Sequence, residues 1–157
     1  MKLYMKVEEF SWRGKFSVLD ETGAERYFVE GERYALWKKL HVYDSERKEV
    51  AFLRQAVFAV LPKVIVSVEG KKVASVARQV LFYFRIYKVK GLDWFPSGAF
   101  WLYDYQLTQK KRLVMKTELV MMPWGNCFEL DIENPEEELT ATAIAMALNY
   151  VISDGRW

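Results

Sequence analysis

Few side chains in this sequence are of the kinds that carry out nucleophilic or acid–base catalysis. His41 is the single histidine among 157 residues, and no motif of nucleophile, base and orienting acid surrounds it. Cys127 is the single cysteine, and buried, inert thiols are commoner than reactive ones. We therefore expect structural roles for both residues, and the sequence offers no residue for a catalytic role.

Metal and cofactor sites are not predicted either. A zinc site needs clustered His and Cys ligands, which this sequence lacks. The carboxylates at 136–138 could attract a cation, but compensation of the dipole at the start of a helix is the simpler explanation. The eight glycines are scattered singly and form no phosphate-binding loop. An enzyme of unknown type remains an alternative without assigned residues.

Aromatic and basic residues alternate at Tyr83, Arg85 and Tyr87. In a strand these side chains share one face, as they do in platforms that bind single-stranded nucleic acid. The same pattern also arises from cross-strand packing, which we favour. The 23 basic and 21 acidic residues give a net charge of +2, too small to draw the whole protein onto nucleic acid, and nucleic acid is not the expected partner.

The elements that must position these residues are mostly strands. Apolar residues alternate with polar ones in short segments, as at Leu3, Met5 and Val7, and turn residues such as those at 20–23 separate the segments. The pattern predicts roughly a dozen strands between residues 3 and 132. We expect a mainly β protein.

One helix is predicted near the C-terminus, over about residues 135–152. Asn134 and Pro135 are typical of a helix start, and the carboxylates that follow suit the positive end of the helix dipole. The stretch 139–153 carries no charge, yet it would rise only about 22 Å, short of a hydrocarbon thickness of about 30 Å. A buried core helix is favoured over a membrane span.

These elements predict a closed antiparallel barrel of about twelve strands around the buried hydrophobic helix. We expect one soluble domain over residues 1–157. A barrel filled by a helix has little room for a substrate inside, so a site should lie at a rim or on the outer wall.

In an up-and-down barrel, connections after even-numbered strands meet at one end. That end would hold a candidate anion or lipid site made of Lys71, Lys72, Lys110, Lys111 and Arg112. Acidic residues such as Glu69 occupy the same turns. A solvated, neutralised rim is therefore the favoured alternative.

Connections at the opposite end are unusually apolar for surface loops. They give a candidate docking rim for a partner or bilayer, made of Trp37, Phe58, Met122 and Trp124. The favoured alternative is that these side chains pack inward and close that end of the barrel.

The order of elements also resembles a known family. The resemblance rests on four segments followed by the capped, alanine-rich helix. They are Phe10-Ser-Trp-Arg13, Leu40-His-Val-Tyr-Asp44, Phe100-Trp-Leu-Tyr-Asp-Tyr105 and Pro123-Trp-Gly-Asn-Cys-Phe-Glu-Leu-Asp131. Together they resemble the bacterial branch of the LURP-one-related family. The resemblance implies the fold of the tubby C-terminal domain and of phospholipid scramblases, a twelve-stranded barrel wrapped around a hydrophobic helix.

For function the resemblance implies less. Tubby domains bind membrane phosphoinositides, but no motif here matches their lipid-binding residues. The cysteine cluster that carries palmitate in scramblases is absent, with Cys127 alone. We therefore expect a non-enzymatic binding module without a cofactor. Its expected ligand is an anionic, phosphoinositide-like membrane lipid or a protein partner.

The expected location is the cytoplasm, at the periphery of a membrane if the lipid hypothesis holds. A lone cysteine suits a reducing compartment, and charges among the first nine residues interrupt the apolar core that an export signal needs.

Overall fold

Twelve strands and one α-helix form the computed structural model, which describes residues 1–153. The strands are β1 (Lys2–Lys6), β2 (Lys15–Leu19), β3 (Glu25–Gly31), β4 (Lys39–Tyr43), β5 (Glu49–Gln55), β6 (Lys63–Val68), β7 (Lys71–Leu81), β8 (Phe84–Lys90), β9 (Phe95–Ala99), β10 (Asp104–Gln109), β11 (Arg112–Met122) and β12 (Gly125–Ile132). The helix is α1 (Glu138–Ile152), and two 3₁₀ turns cover Phe100–Leu102 and Pro135–Glu137. The last four residues of the predicted domain, 154–157, lie outside the described residues.

All twelve strands belong to one antiparallel sheet in the order β8-β7-β6-β5-β4-β3-β2-β1-β12-β11-β10-β9. Consecutive strands are neighbours, except that β1 pairs with β12, from Lys2 opposite Asp131 to Lys6 opposite Cys127. The predicted mainly β barrel around a C-terminal helix is confirmed. Its closure is incomplete, because β8 and β9 are the two edges of the sheet; we call the line between them the seam.

Period-2 alternation turns one face of each strand towards the interior. In β6, Val64 and Val66 are fully buried, whereas Ile65 and Ser67 are half-buried on the outer wall. This is the half-buried strand signature that the sequence carries. The apolar face of the sheet thus lines a continuous core.

The helix fills that core. Every residue from Ala141 to Ile152 is buried, and Leu139 and Thr140 are half-buried. Asn134 caps the preceding 3₁₀ turn, since its side-chain oxygen accepts from the Glu136 backbone N–H at 3.0 Å. The start predicted for the helix is therefore right, although its first turn is 3₁₀ rather than α.

Within residues 1–153, no helix combines the length and the apolar character that crossing a membrane requires.

Carboxylates at the start of α1 tie the helix to the sheet. Glu138 is buried, and its Oε2 accepts from Arg26 Nε at 3.1 Å and from the Tyr27 hydroxyl. Glu137 accepts two bonds from the Arg112 guanidinium, at 2.7 and 3.0 Å. Charge-assisted bonds to β3 and β11 thus hold this end of the helix, in addition to the favourable helix dipole.

Because consecutive strands are antiparallel, their connections gather at two rims. The aromatic rim holds the connections after odd-numbered strands, residues 7–14, 32–38, 56–62, 82–83, 100–103 and 123–124. The polar rim holds 20–24, 44–48, 69–70, 91–94, 110–111 and 133–134. The helix runs from the polar to the aromatic rim, where Tyr150 stacks against Trp12 with ring centroids 4.5 Å apart.

Candidate functional site

The aromatic rim exposes large apolar side chains on several separate connections. Tyr34 is 92% exposed, Phe58 88% and Val60 99%. The further exposed apolar residues at or beside this rim are Leu36, Val57, Val80, Leu81, Phe82, Tyr83, Phe84, Trp101, Leu102 and Met121. Among residues 1–153, only Met1 and Phe95 of this class flank the polar rim. Surface loops are rarely this apolar, so the two ends of the barrel differ in chemistry.

An inner layer beneath these exposed side chains closes the barrel. Phe10 and Trp12, both on the first connection, are buried. Phe10 packs on Phe16 at 5.1 Å, and Trp12 covers the end of the helix. The aromatic rim therefore has two layers. Buried side chains close this end of the barrel, and exposed apolar side chains lie on their solvent side.

The four predicted docking residues divide between these environments. Phe58 projects outward and Trp37 is half-buried against it, with ring centroids 5.7 Å apart. Met122 is half-buried at the end of β11, separated from the Trp37 loop by β1 and β2. Trp124 folds back onto the outer wall, 6.2 Å from the Tyr4 ring. The structure thus brings Trp37 and Phe58 together and places the other two elsewhere.

A basic pocket of about 360 Å³ lies beside Trp37 on the same rim. It is lined by three cations, Arg13, Lys38 and Lys63, and by apolar side chains that include Leu36, Val60, Leu61 and Tyr150. No acidic residue is among its lining in the described chain. The three cations come from the connections at 7–14 and 32–38 and from the start of β6. They are far apart in sequence, and the folding of the barrel brings them together.

Contacts with neighbouring groups hold Arg13 and Lys38 of the basic pocket in place. Arg13 donates from Nη1 to the backbone carbonyls of Arg33 and Ala35, at 3.1 and 3.0 Å. Lys38 places its ammonium 5.2 Å from the centre of the Tyr150 ring. Burial, and then the charge of Arg13, lower the pKa of Lys38. The pocket is therefore a region of positive potential that favours an anion.

The predicted anion site at the polar rim is spread over two distant turns. Lys71 and Lys72 follow the β6–β7 turn, and Lys110, Lys111 and Arg112 surround the β10–β11 turn, with β8 and β9 between the two groups. The guanidinium of Arg112 is already engaged by Glu137. The five cations do not form one cluster, and their role in binding stays a prediction.

A second cavity opens at the aromatic rim where the seam widens. This cleft has a volume of about 530 Å³. One wall comes from the start of β8 and its turn, Tyr83, Phe84, Arg85 and Tyr87, and the other from Phe100, Trp101 and Tyr103. Ile152, the last residue of α1, is its floor. We call it the seam cleft.

Below the seam cleft, side chains close the gap that backbone hydrogen bonds leave open. Tyr87 of β8 packs on Phe100 across the seam, with ring centroids 4.7 Å apart, and Phe100 packs on Tyr105 at 5.7 Å. The Tyr105 hydroxyl donates to Asn149 Oδ1 at 2.9 Å inside the barrel. The seam is thus held by an aromatic stack anchored on the helix.

A family model described as LURP-one-related matches residues 1–149. The chain belongs to the LURP-one-related family. An uncharacterized protein of Bacillus subtilis, YxjI, is 31% identical to it over 152 residues, which cover 97% of this chain and 94% of that protein. The relative is bacterial, as the resemblance in the sequence implied.

The fold of this LURP-one-related protein also occurs in a solved structure. An X-ray structure of a protein from Arabidopsis thaliana matches with a TM-score of 0.61 at 14% identity. The match covers 93% of this chain and 89% of that chain. At this identity the likeness supports the barrel architecture alone.

The two reactive side-chain types of the LURP-one-related protein lie on the outer wall. His41 Nδ1 is 2.5 Å from Glu49 Oε1, and its Nε2 is 2.9 Å from Glu32 Oε2. Cys127 is buried, and burial raises the pKa of its thiol. A protonated, buried thiol is typical of a structural cysteine, and both ring nitrogens of His41 are held by carboxylates.

The predicted Tyr83, Arg85 and Tyr87 face lies beside the seam and is divided between buried and exposed side chains. Tyr87 is buried against Phe100, and Tyr83 and Arg85 are exposed at the mouth of the cleft. The packing interpretation therefore accounts for Tyr87, and a flat three-residue platform for nucleic acid is not formed.

Sequence reasoning missed both cavities of the aromatic rim. Arg13, Lys38 and Lys63 are distant in the chain, and no short motif joins them. A usable signal existed, since Lys38 and Lys63 flank the apolar connections at 32–38 and 56–62. No sequence pattern of this kind indicates the seam cleft, because the position of the cleft depends on which two strands of the sheet remain unpaired.

Proposed function

We propose that this LURP-one-related protein binds peripherally to anionic membrane surfaces through its aromatic rim. The observation that best supports this proposal is that several separate connections at the aromatic rim expose apolar side chains, and that cations lie beside them. Aromatic and aliphatic side chains gain free energy when they enter the boundary between headgroups and acyl chains. Basic residues beside them are attracted by anionic lipid.

The distribution of charge supports this orientation. The connection at 32–38 carries Arg33 and Lys38 against a single acid, Glu32, which is held by His41. The neighbouring basic pocket adds Arg13 and Lys63. Cations and apolar side chains therefore occupy the same side of the rim. A bilayer could contact both kinds of side chain at the same time.

The membrane test is co-sedimentation with vesicles made of equal parts phosphatidylglycerol and phosphatidylcholine, and with vesicles of phosphatidylcholine alone. We expect binding to the anionic vesicles at low salt and weaker binding at high salt. The double variant Phe58→Ser with Val60→Ser should bind about tenfold or more weakly, because two exposed apolar side chains are lost. Its melting temperature should stay near the parent value, since both residues are exposed.

The matched control reverses charge at the opposite end, with Lys110→Glu and Lys111→Glu. We expect this variant to bind vesicles like the parent. Loss of binding in the control, with retention in the Phe58 and Val60 variant, would assign the docking surface to the polar rim instead. A parent protein that ignores anionic vesicles would overturn the proposal and leave a protein partner as the ligand.

A further inference from the structure

The geometry points to the seam cleft as a binding site for one hydrocarbon chain of an anionic membrane lipid. This inference deepens the proposed function by naming the ligand, and it rests on that function for the route by which lipid reaches the cleft. The cleft opens at the aromatic rim, on the side of the barrel that would face the bilayer.

The lining of the cleft is suited to a hydrocarbon chain. Aromatic rings form both walls and Ile152 forms the floor, so Arg85 is its one charged lining residue in the described chain. Its volume of about 530 Å³ lies in the range of small-molecule sites, which are mostly apolar with a few placed polar groups. An uncharged, flexible chain can pack on such aromatic walls.

The charge at the mouth favours an anionic head group. Arg85 is exposed at the start of β8, and Arg78 lies on β7 opposite Tyr87. The pKa of Arg78 is lowered by burial and, next, by the charge of Arg85. Arg78 is not among the residues that line the cleft, so Arg85 is the cation that a head group would meet. A guanidinium can bind a phosphate oxygen through two parallel N–H donors.

The backbone at the lips of the cleft is unusual for aromatic residues. Phe82 has φ 49°, Tyr83 has φ 70° and Tyr103 has φ 55°, a left-handed region that bulky side chains rarely adopt. Such strained positions cluster at functional sites. Here Phe82 and Tyr83 are exposed at one lip of the cavity, whereas Tyr103 at the other lip packs on the buried ring of Phe128 at 5.2 Å.

The ligand test distinguishes the contribution of the hydrocarbon chain to binding from that of the head group. The full chain is titrated calorimetrically with dodecyl phosphate below its critical micelle concentration, with dodecyl maltoside as an uncharged analogue and with methyl phosphate as a head group alone. We expect one molecule of dodecyl phosphate to bind saturably, dodecyl maltoside to bind about tenfold more weakly, and methyl phosphate to give no heat. Several bound molecules, or equal affinity for the two dodecyl compounds, would overturn the proposal.

Variants of the cleft residues test whether dodecyl phosphate binds in the seam cleft. The double change Trp101→Ala with Tyr83→Ser removes two exposed wall residues and should weaken dodecyl phosphate binding about tenfold or more. Arg85→Gln should remove the preference for phosphate over maltoside. The Phe58→Ser and Val60→Ser variant, on a different connection, should bind dodecyl phosphate like the parent. Undiminished binding by the Trp101 and Tyr83 variant would overturn the cleft as the site.

The two proposals fail in different ways. A protein that binds anionic vesicles but not dodecyl phosphate refutes the cleft and leaves rim docking intact. A protein that binds dodecyl phosphate in the cleft but ignores vesicles refutes rim docking, and it supports a carrier of single-chain amphiphiles.

Discussion

His41 shows how one titratable residue can join three segments of the barrel wall. Its two ring nitrogens face Glu49 on β5 and Glu32 on the β3–β4 connection. Both nitrogens can donate only when the ring is protonated. Burial alone would lower the pKa of His41, but the hydrogen bonds that its ring donates to Glu49 and Glu32 outweigh burial and raise the pKa above 6.5.

We predict that His41 makes stability depend on pH. A pKa that is higher in the folded than in the unfolded protein gives a contribution that is fully present below pH 6.5, the unfolded value. That contribution disappears as the pH rises through the folded pKa. Melting temperatures of the parent and of His41→Gln, measured across this range, should differ at acidic pH and converge at alkaline pH. The same difference between the two proteins at every pH would contradict the prediction.

At the scale of the element, the β7–β8 turn carries strain in the folded state. Leu81 pairs with Phe84, so Phe82 and Tyr83 form a two-residue turn in which both φ angles are positive. This is the geometry of a type I′ turn, in which Asn-Gly is favoured. Each non-glycine residue in the left-handed region costs about 1–2 kcal/mol.

We predict that Phe82→Asn with Tyr83→Gly stabilises the protein by about 1–2 kcal/mol and weakens binding to anionic vesicles. Denaturant unfolding and co-sedimentation measure the two effects. Glu69→Asn is a matched control, because Glu69 has φ 50° in the β6–β7 turn at the other rim. The control should gain stability without a change in vesicle binding. A lower stability of the double variant would show that its rings contribute more than the turn geometry costs.

The central helix is the element on which the fold depends most. Ile144 is 0% exposed, and α1 packs mainly on β5, β6 and β7. A carboxylate there would lie in an apolar core without a partner, which costs several kcal/mol. The whole free energy of unfolding of a domain is only about 5–15 kcal/mol.

We predict that Ile144→Asp abolishes folding, measured as the loss of a cooperative melting transition. Thr140→Asp is the control, because Thr140 is half-buried in the first turn of α1, where the helix dipole favours a carboxylate. It should melt near the parent temperature. An Ile144→Asp protein that melts like the parent would refute the central position of the helix.

Local patterns accounted for the elements and their order. Alternation in segments such as β6, and the cap at Asn134, are read from neighbours in sequence, so the strands, the helix and the up-and-down order were predictable. The position of Trp124 was not, because its ring folds back onto Tyr4 through contacts made only in the barrel. The seam was equally hidden, since β8 has the same alternation as strands that pair on both sides.

At the scale of the whole molecule, the barrel separates two kinds of surface. The polar rim carries ion pairs, such as Arg47 with Glu25 at 3.0 Å, and the helix start held by Arg26 and Arg112. The aromatic rim carries the exposed apolar side chains and both cavities. This polarity along the barrel axis separates a charged, ion-paired end from an apolar end.

The pairing of β1 with β12 also governs how the chain can be made. On the ribosome, β1 emerges first, but its partner on one side and the helix that fills the interior emerge last. The strands between them must wait with an apolar face uncovered, a condition that favours capture by chaperones or proteases. A nascent chain that stalls before α1 therefore keeps the apolar face of its strands uncovered, which favours aggregation.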